Sequence, residues 1–367
     1  MSTFLINCTN LKLGGGLQVA QSICEQLYRT TEHHFVVVLS TYFNEECQDF
    51  GGNVEVFRHN IKHDLMTVLF GRDRFLDGLV EKKSVDAVLT VFGPSLWQPK
   101  IPHLCGFARA QLILKDSPYY KQRSVKEKIV YRIWDWAFKH SSKTFFTENN
   151  YISDILKKHF KNVKVYTISN YYNQVFDVPT KWKRSITLPH FDGVTCLSVA
   201  SPAPHKNFGI IEGVVRNLRK EHPDLKVRFV LTFHDVQCPM AEDVKDHLVY
   251  VGRVDVSECP YLYEQADIMF MPSLMECFTA TYPEAMRMGV PIVTTDLEFA
   301  RGLCGEAACY YSAIDAGAAA ESIYRVSTDK DYAARLVSNG KEQLKKFDDY
   351  EERAEKLIRI LEEMVKK

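Results

Sequence analysis

The sequence predicts an α/β protein built from two doubly wound units. Short β-rich segments alternate with helix-patterned segments, which implies repeated βα units. Several of the β segments are nearly continuous apolar runs, as a parallel sheet covered on both faces requires. The alternation then restarts after a stretch of mixed polarity that ends near residue 190. A length of 367 residues accommodates two or three domains.

Strands are expected at 4–8, 35–40, 54–57, 86–92, 103–107, 143–147 and 163–169 in the first half. Between them, 17–29 and 151–160 carry helical periodicity. The loop NLKLGGGLQVA (10–20) follows the first strand and opens the first helix. Its glycines, Gly15 and Gly16 among them, allow a ligand close to the backbone at a helix start. It matches neither GxGxxG nor GxxxxGK[ST], which argues against a dinucleotide or P-loop site. The stretch 170–190 holds two prolines and reads as a linker. Strands follow at 194–200, 227–233, 248–252, 267–273 and 290–295, with helices at 208–222, 259–266 and 279–289. The last segment, 347–367, reads as one amphipathic helix with Tyr350, Ala354, Leu357, Leu361 and Met364 at three- and four-residue spacing. The expected organisation is thus 1–170, a linker 171–190, 191–346 and a terminal helix 347–367 that returns to the first domain.

Lys plus Arg equals 46 and so does Asp plus Glu, which excludes a globally basic nucleic-acid binder and an acidic disordered tail. The zero is uneven. Residues 1–190 carry 25 basic and 17 acidic side chains, and residues 191–367 carry 21 and 29. No apolar run approaches 18 residues, so no transmembrane span is expected. The opening MSTFLINCTN lacks a basic n-region and a cleavage site, and reads as no signal peptide. Ten cysteines show no CxxC and no zinc-ligand spacing, so buried reduced thiols in a cytoplasmic protein are expected. HNIKH (59–63) has metal-like spacing but no supporting carboxylates, and reads as a surface loop.

The most informative stretch is PSLMECFTATYPEAMRMGVPIVTTD (272–296). A strand ends at Ser273, a loop holds Glu276, and a helix starts near Thr279. Free N–H groups at that start form an anion site. Glu284, within the first two turns, can accept two hydrogen bonds from a vicinal diol such as ribose. Glu276 can reach a second polar ligand. Local physics therefore suggests phosphate at the helix tip with hydroxyl-rich groups on either side.

The spacing E-x7-E followed by A-M-x-x-G-x-P-I-V resembles the retaining glycosyltransferases of the GT-B fold, in the large GT4-like group. SVASPAPHKNFGIIEGV (198–214) resembles that family's strand, loop and Lys-Asn segment. The resemblance covers most of 194–328, and over 1–190 it is one of pattern only. It implies two Rossmann-like domains facing a central cleft. It implies that Glu284 binds the nucleotide ribose and that Glu276 contacts the donor sugar. Cys277, Phe278, Thr279 and Ala280 match the loop whose amides meet the sugar and diphosphate. Lys206 matches the diphosphate-binding lysine, with His205 beside it at the phosphate end. No metal or other cofactor is implied, and no DxD-type cluster or His/Asp ligand set argues otherwise. The family's glycine-rich loop helps to hold the donor phosphate or the acceptor, which concerns Gly15 and Gly16.

Two departures stand out. The family usually has an arginine about five residues before the lysine, where this chain has Ser201. Arg253 and Arg109 are candidate substitutes. The residue after the first glutamate is usually Gly, and here it is Cys277. His103 reads as a packed strand histidine. The segment 115–143 holds eight basic and three acidic residues with Tyr119, Tyr120, Tyr131, Trp134, Trp136 and Phe138. It suits an anionic membrane surface or a packed helix, while a nucleic-acid partner is disfavoured.

The expected activity is retaining, metal-independent transfer of a hexose-type sugar from a UDP- or GDP-linked donor to a saccharide or lipid-linked saccharide. The pathway suggested is bacterial surface polysaccharide or lipopolysaccharide assembly, in the cytoplasm or peripherally on the inner membrane's cytoplasmic face. A nucleotide-sugar epimerase, a phosphorylase and a non-catalytic nucleotide-sugar-binding subunit remain open alternatives.

Overall fold

Burial of nearly continuous apolar runs organises both sheets. The computed structural model describes residues 1–12, 14–29, 32–43, 51–61, 67 and 70–366. The first sheet contains β1 (Thr3–Cys8), β2 (His34–Leu39), β3 (Val54–Arg58), β4 (Ala87–Thr90), β5 (His103–Gly106), β6 (Thr144–Thr147) and β7 (Lys164–Thr167). All seven expected strands form. Their order is β3-β2-β1-β4-β5-β6-β7, and all pairings are parallel. The central strands β1, β2 and β4 are buried almost throughout. Phe4, Ile6, Val37 and Leu89 fill one face, and Leu5, Val36, Val38 and Val88 the other. Alternate residues of one strand point to opposite faces, so helices must cover both.

The second sheet contains β8 (Val194–Ser198), β9 (Val227–Leu231), β10 (Leu248–Tyr250), β11 (Ile268–Met271), β12 (Ile292–Thr295) and β13 (Ala308–Tyr311). Its order is β10-β9-β8-β11-β12-β13, again parallel. Strand β13 was not anticipated, because ACYY is short and offers no periodicity. The helices Glu298–Cys304, Ala316–Thr328 and Lys330–Leu344 around it also went unread.

Two compact units result. One comprises Met1–Ile113, Arg123–Asn170 and Asp348–Lys367, and the other comprises Leu114–Gln122 and Tyr171–Phe347. The stretch 171–190, expected as a linker, is part of the second unit. Lys183 donates its backbone N–H to the Ser257 carbonyl at 2.8 Å. Gln265 donates to the Ile186 carbonyl at 3.0 Å and accepts from the Leu188 N–H at 2.8 Å. Such bonds hold it as an ordered strap. Leu114–Gln122 likewise groups with the second unit although it lies between segments of the first.

The C-terminal helix Tyr350–Val365 starts on a capping box. The Asp349 carboxylate accepts from the N–H groups of Glu351 and Glu352, and the Glu352 carboxylate accepts from the Asp349 N–H. Leu357, Ile358, Ile360 and Leu361 enter the core of the first unit beside Phe4, Ile6 and Leu89. Arg353, also buried, donates to Asn170 and to Ser22. The nine described cysteines are free, and eight of them are buried. Cys47 lies outside the described residues. Among those residues no helix is long and apolar enough to cross a membrane.

Candidate functional site

In the second sheet the strand order reverses between β8 and β11. Open α/β sheets bind ligands beyond the carboxyl ends of the strands at such a switch point. The loop after β8 carries His205 and Lys206, and the loop after β11 carries Glu276. Sheet order therefore brings together two loops that are far apart in the chain.

Three bonds fasten these strands and their loops. The Ser198 hydroxyl donates to the Phe270 carbonyl at 2.6 Å. The Leu274 N–H donates to the His205 carbonyl at 2.8 Å. Lys206 Nζ lies 2.5 Å from Glu276 Oε1. Pro204–Lys206 is a single 3₁₀ turn that ends on Asn207 at φ +55°, a left-handed conformation that asparagine tolerates well. That turn aims Lys206 at Glu276. The Ser273 hydroxyl donates to the same Glu276 oxygen at 2.9 Å, and His205 Nε2 lies 3.9 Å from it. Both Glu276 and Lys206 are largely shielded from solvent. Burial lowers the pKa of His205, opposed by nearby Glu276 and reinforced by Lys206. Burial thus biases His205 toward its neutral form beside a shielded ion pair. Tyr119, on the strap Leu114–Gln122, sets its ring edge-on to His205 at 5.8 Å.

The helix Thr281–Met288 starts on Ala280 with no side-chain cap. Pro283 has no N–H, so the first-turn donors available at that end are the amides of Thr281 and Tyr282. A helix end of this kind favours an anion. The start lies two residues later than expected, and Thr279 is in the loop, its hydroxyl 2.8 Å from that of Thr281. Glu284 sits in the first turn and is buried. Burial pushes its pKa up to about 7, while the Tyr263 hydroxyl, donating at 3.1 Å, pulls the other way. Cys277 is buried, and Phe278 meets Phe347 edge-on at 6.1 Å. Within the second unit the structure therefore groups Lys206, His205 and Glu276, with Cys277–Ala280 and Glu284 following on the same strand-loop-helix.

Other candidates lie elsewhere. Ser201 and Arg253 are exposed, on the loops after β8 and β10. Arg109 lies in the first unit with its guanidinium over the Trp134 ring at 5.4 Å. Gly15 is the first residue of the helix Gly15–Cys24, behind Gly14 at φ +75°. Among the described residues a Cβ built on Gly14 or Gly15 would meet nothing within 4 Å, and on Gly16 it would touch Leu11 at 3.4 Å and Phe92 at 3.7 Å. Leu13 of this loop lies outside the described residues. His103 is packed as expected: Nδ1 donates to the Ser141 carbonyl, Nε2 accepts from Thr90, and burial lowers its pKa to about 4. His59 pairs with Asp73 at 2.9 Å, and His63 lies outside the described residues. Sequence reasoning missed Ser273, Tyr263 and Tyr119. Ser273 was visible as the strand end before Glu276, whereas the two tyrosines reach the site only through packing.

The fold is that of the GT-B glycosyltransferases, with two parallel sheets of seven and six strands. Residues 184–343, which lie in the second unit, match the family described as glycosyl transferases group 1. No curated protein matches the sequence significantly. Solved structures match along the whole chain. Sucrose-phosphate synthase from Thermosynechococcus elongatus is 15% identical over 99% of both chains, with a TM-score of 0.72. WaaG, a glycosyltransferase involved in lipopolysaccharide biosynthesis, is 15% identical over 98% of this chain and 99% of its own, with a TM-score of 0.70. HepE from Anabaena, solved with UDP and glucose, is 13% identical over 99% of both, with a TM-score of 0.67.

Proposed function

We propose that the chain is a retaining glycosyltransferase that moves a hexose-type sugar from a UDP- or GDP-linked donor to a saccharide or lipid-linked saccharide. The observation that carries this is the Lys206–Glu276 pair at 2.5 Å, set at the switch point before an uncapped helix start. A diphosphate entering there competes with Glu276 for Lys206. The lysine then serves the phosphate, and the released Glu276 carboxylate accepts from donor-sugar hydroxyls. Glu284 accepts from the ribose diol. Cys277, Phe278, Thr279 and Ala280 line the sugar and diphosphate with backbone amides. No metal or cofactor is assigned a role.

In the transfer, an acceptor hydroxyl oxygen bonds to the anomeric carbon on the face from which the diphosphate departs. The carbon–oxygen bond to the leaving phosphate breaks, and that phosphate takes the acceptor's proton. Lys206 and the helix-start amides stabilise the charge that develops on the leaving group. Surface polysaccharide or lipopolysaccharide assembly, in the cytoplasm, is the setting that fits such an acceptor.

Lys206→Ala and Glu284→Gln should each lower kcat/KM by at least about tenfold, roughly 1.4 kcal/mol. Because Lys206→Ala leaves Glu276 buried without its partner, folding of each variant is checked by circular dichroism. Near-normal turnover in both folded variants would remove the assignment. Nucleotide binding without transfer or donor hydrolysis in the wild type would point to a binding subunit.

A further inference from the structure

The helix Val125–Ser141 turns its apolar side outward. Val125 is 75% exposed, Ile129 51%, Ile133 59% and Trp136 44%. Steps of four, four and three residues place these four on one face. The helix buries only Ala137, Phe138 and Ser141, all near its C-terminal end. An ordinary surface helix would turn the stripe inward and leave its charges in water.

The charged residues of the helix that flank the stripe are of one sign. Lys126, Arg132 and Lys139 are exposed. At about 100° per residue, Lys126 flanks the stripe on one side, and Arg132 and Lys139 on the other. Both acidic residues of the helix are engaged elsewhere. Glu127 accepts from the Ser124 cap and pairs with Arg123 at 2.9 Å, and Asp135 pairs with His159 at 2.5 Å. The Glu127 side chain is 42% exposed, but it lies on the side of the helix opposite the stripe, and Asp135 is mostly shielded.

We propose that this face is a docking surface for an anionic lipid bilayer. A helix with this cross-section lies in the interfacial plane, its apolar stripe at the acyl boundary and its flanking cations among the headgroups. A second copy of the chain fits less well. Packing two stripes about a two-fold axis would bring like-charged flanks together. The structure also redistributes the roles expected within 115–143. Tyr119 and Phe138 are buried, and Trp134 lies under Arg109. Among the aromatics only Trp136 joins the outward stripe, and aliphatic side chains supply the rest.

The test uses the full chain with no donor or acceptor, so its outcome is separate from that of the transferase reading. Flotation is measured with vesicles of phosphatidylglycerol mixed with phosphatidylcholine, and with phosphatidylcholine alone. The wild type should float with the anionic vesicles, should be released by added salt, and should have Trp136 quenched by brominated acyl chains, a signal lost in Trp136→Phe. The Ile129→Glu/Ile133→Glu double variant alters exposed positions only and should keep the wild-type thermal midpoint. It should partition about tenfold or more weakly. No flotation of the wild type at low salt overturns the proposal, as does flotation unchanged in the double variant. Concentration-dependent self-association of the wild type, lost in the double variant, reassigns the face to a second copy.

Discussion

Glu284 sits where its charge is disfavoured, and under the proposed ribose role its titration would report ligand. Burial raises its pKa from 4.5 to about 7. Between those values the folded protein holds a proton that the unfolded chain releases. Its contribution to stability is therefore present below the window and is lost as pH rises through it. In ligand-free protein, Glu284→Gln should flatten the fall in stability across that window, a change of up to about 3 kcal/mol seen in urea titrations at several pH values. A diol that donates two hydrogen bonds favours the ionised form. Nucleotide should accordingly bind more tightly as pH rises toward 7 and should release a proton near pH 6. Calorimetry in buffers of different ionisation enthalpy reads that proton, and proton release unchanged in Glu284→Gln would sink the ribose role. At this scale E-x7-E was legible because strand, loop and helix start are adjacent in the chain. The Tyr263 contact was not, because it arises from a neighbouring helix.

The C-terminal helix shows how far periodicity reaches. Its spacing announced an apolar stripe, and Leu357 and Leu361 are indeed fully buried in the first unit's core. Leu361→Ala should cost about 2–5 kcal/mol in urea unfolding, while Glu355→Ala on the exposed side should stay within about 0.5 kcal/mol. Equal effects would contradict the packing. Arg353 lies on the same helix. It is buried because Asn170 and Ser22, from other parts of the chain, accept its hydrogen bonds. The helix Val125–Ser141 reverses the usual rule, since its periodic apolar stripe faces outward. Periodicity shows that a stripe exists, and only the neighbours decide which side is covered.

Across the whole molecule, two cores divide the chain. A nucleotide held by Lys206, Glu284 and the helix start should stabilise the second unit, by about 2.7 kcal/mol at 100 times its Kd. A thermal-shift series with UDP, GDP and their sugars should raise one transition selectively, and Lys206→Ala should blunt the shift. A series in which every nucleotide is without effect would leave the donor class unsupported.

The sequence by itself determined the class of fold, twelve of the strands and the segment that carries the paired glutamates. Each is written in local periodicity and spacing, and neighbours in the chain suffice to specify it. Tertiary structure alone decided that Lys206 meets Glu276, that Glu284 is buried against Tyr263, that 171–190 is an ordered strap and that one apolar helix face stays in the open. Those outcomes depend on strand order and on contacts between distant segments, and the free energy of burial is settled only once the partners are assembled.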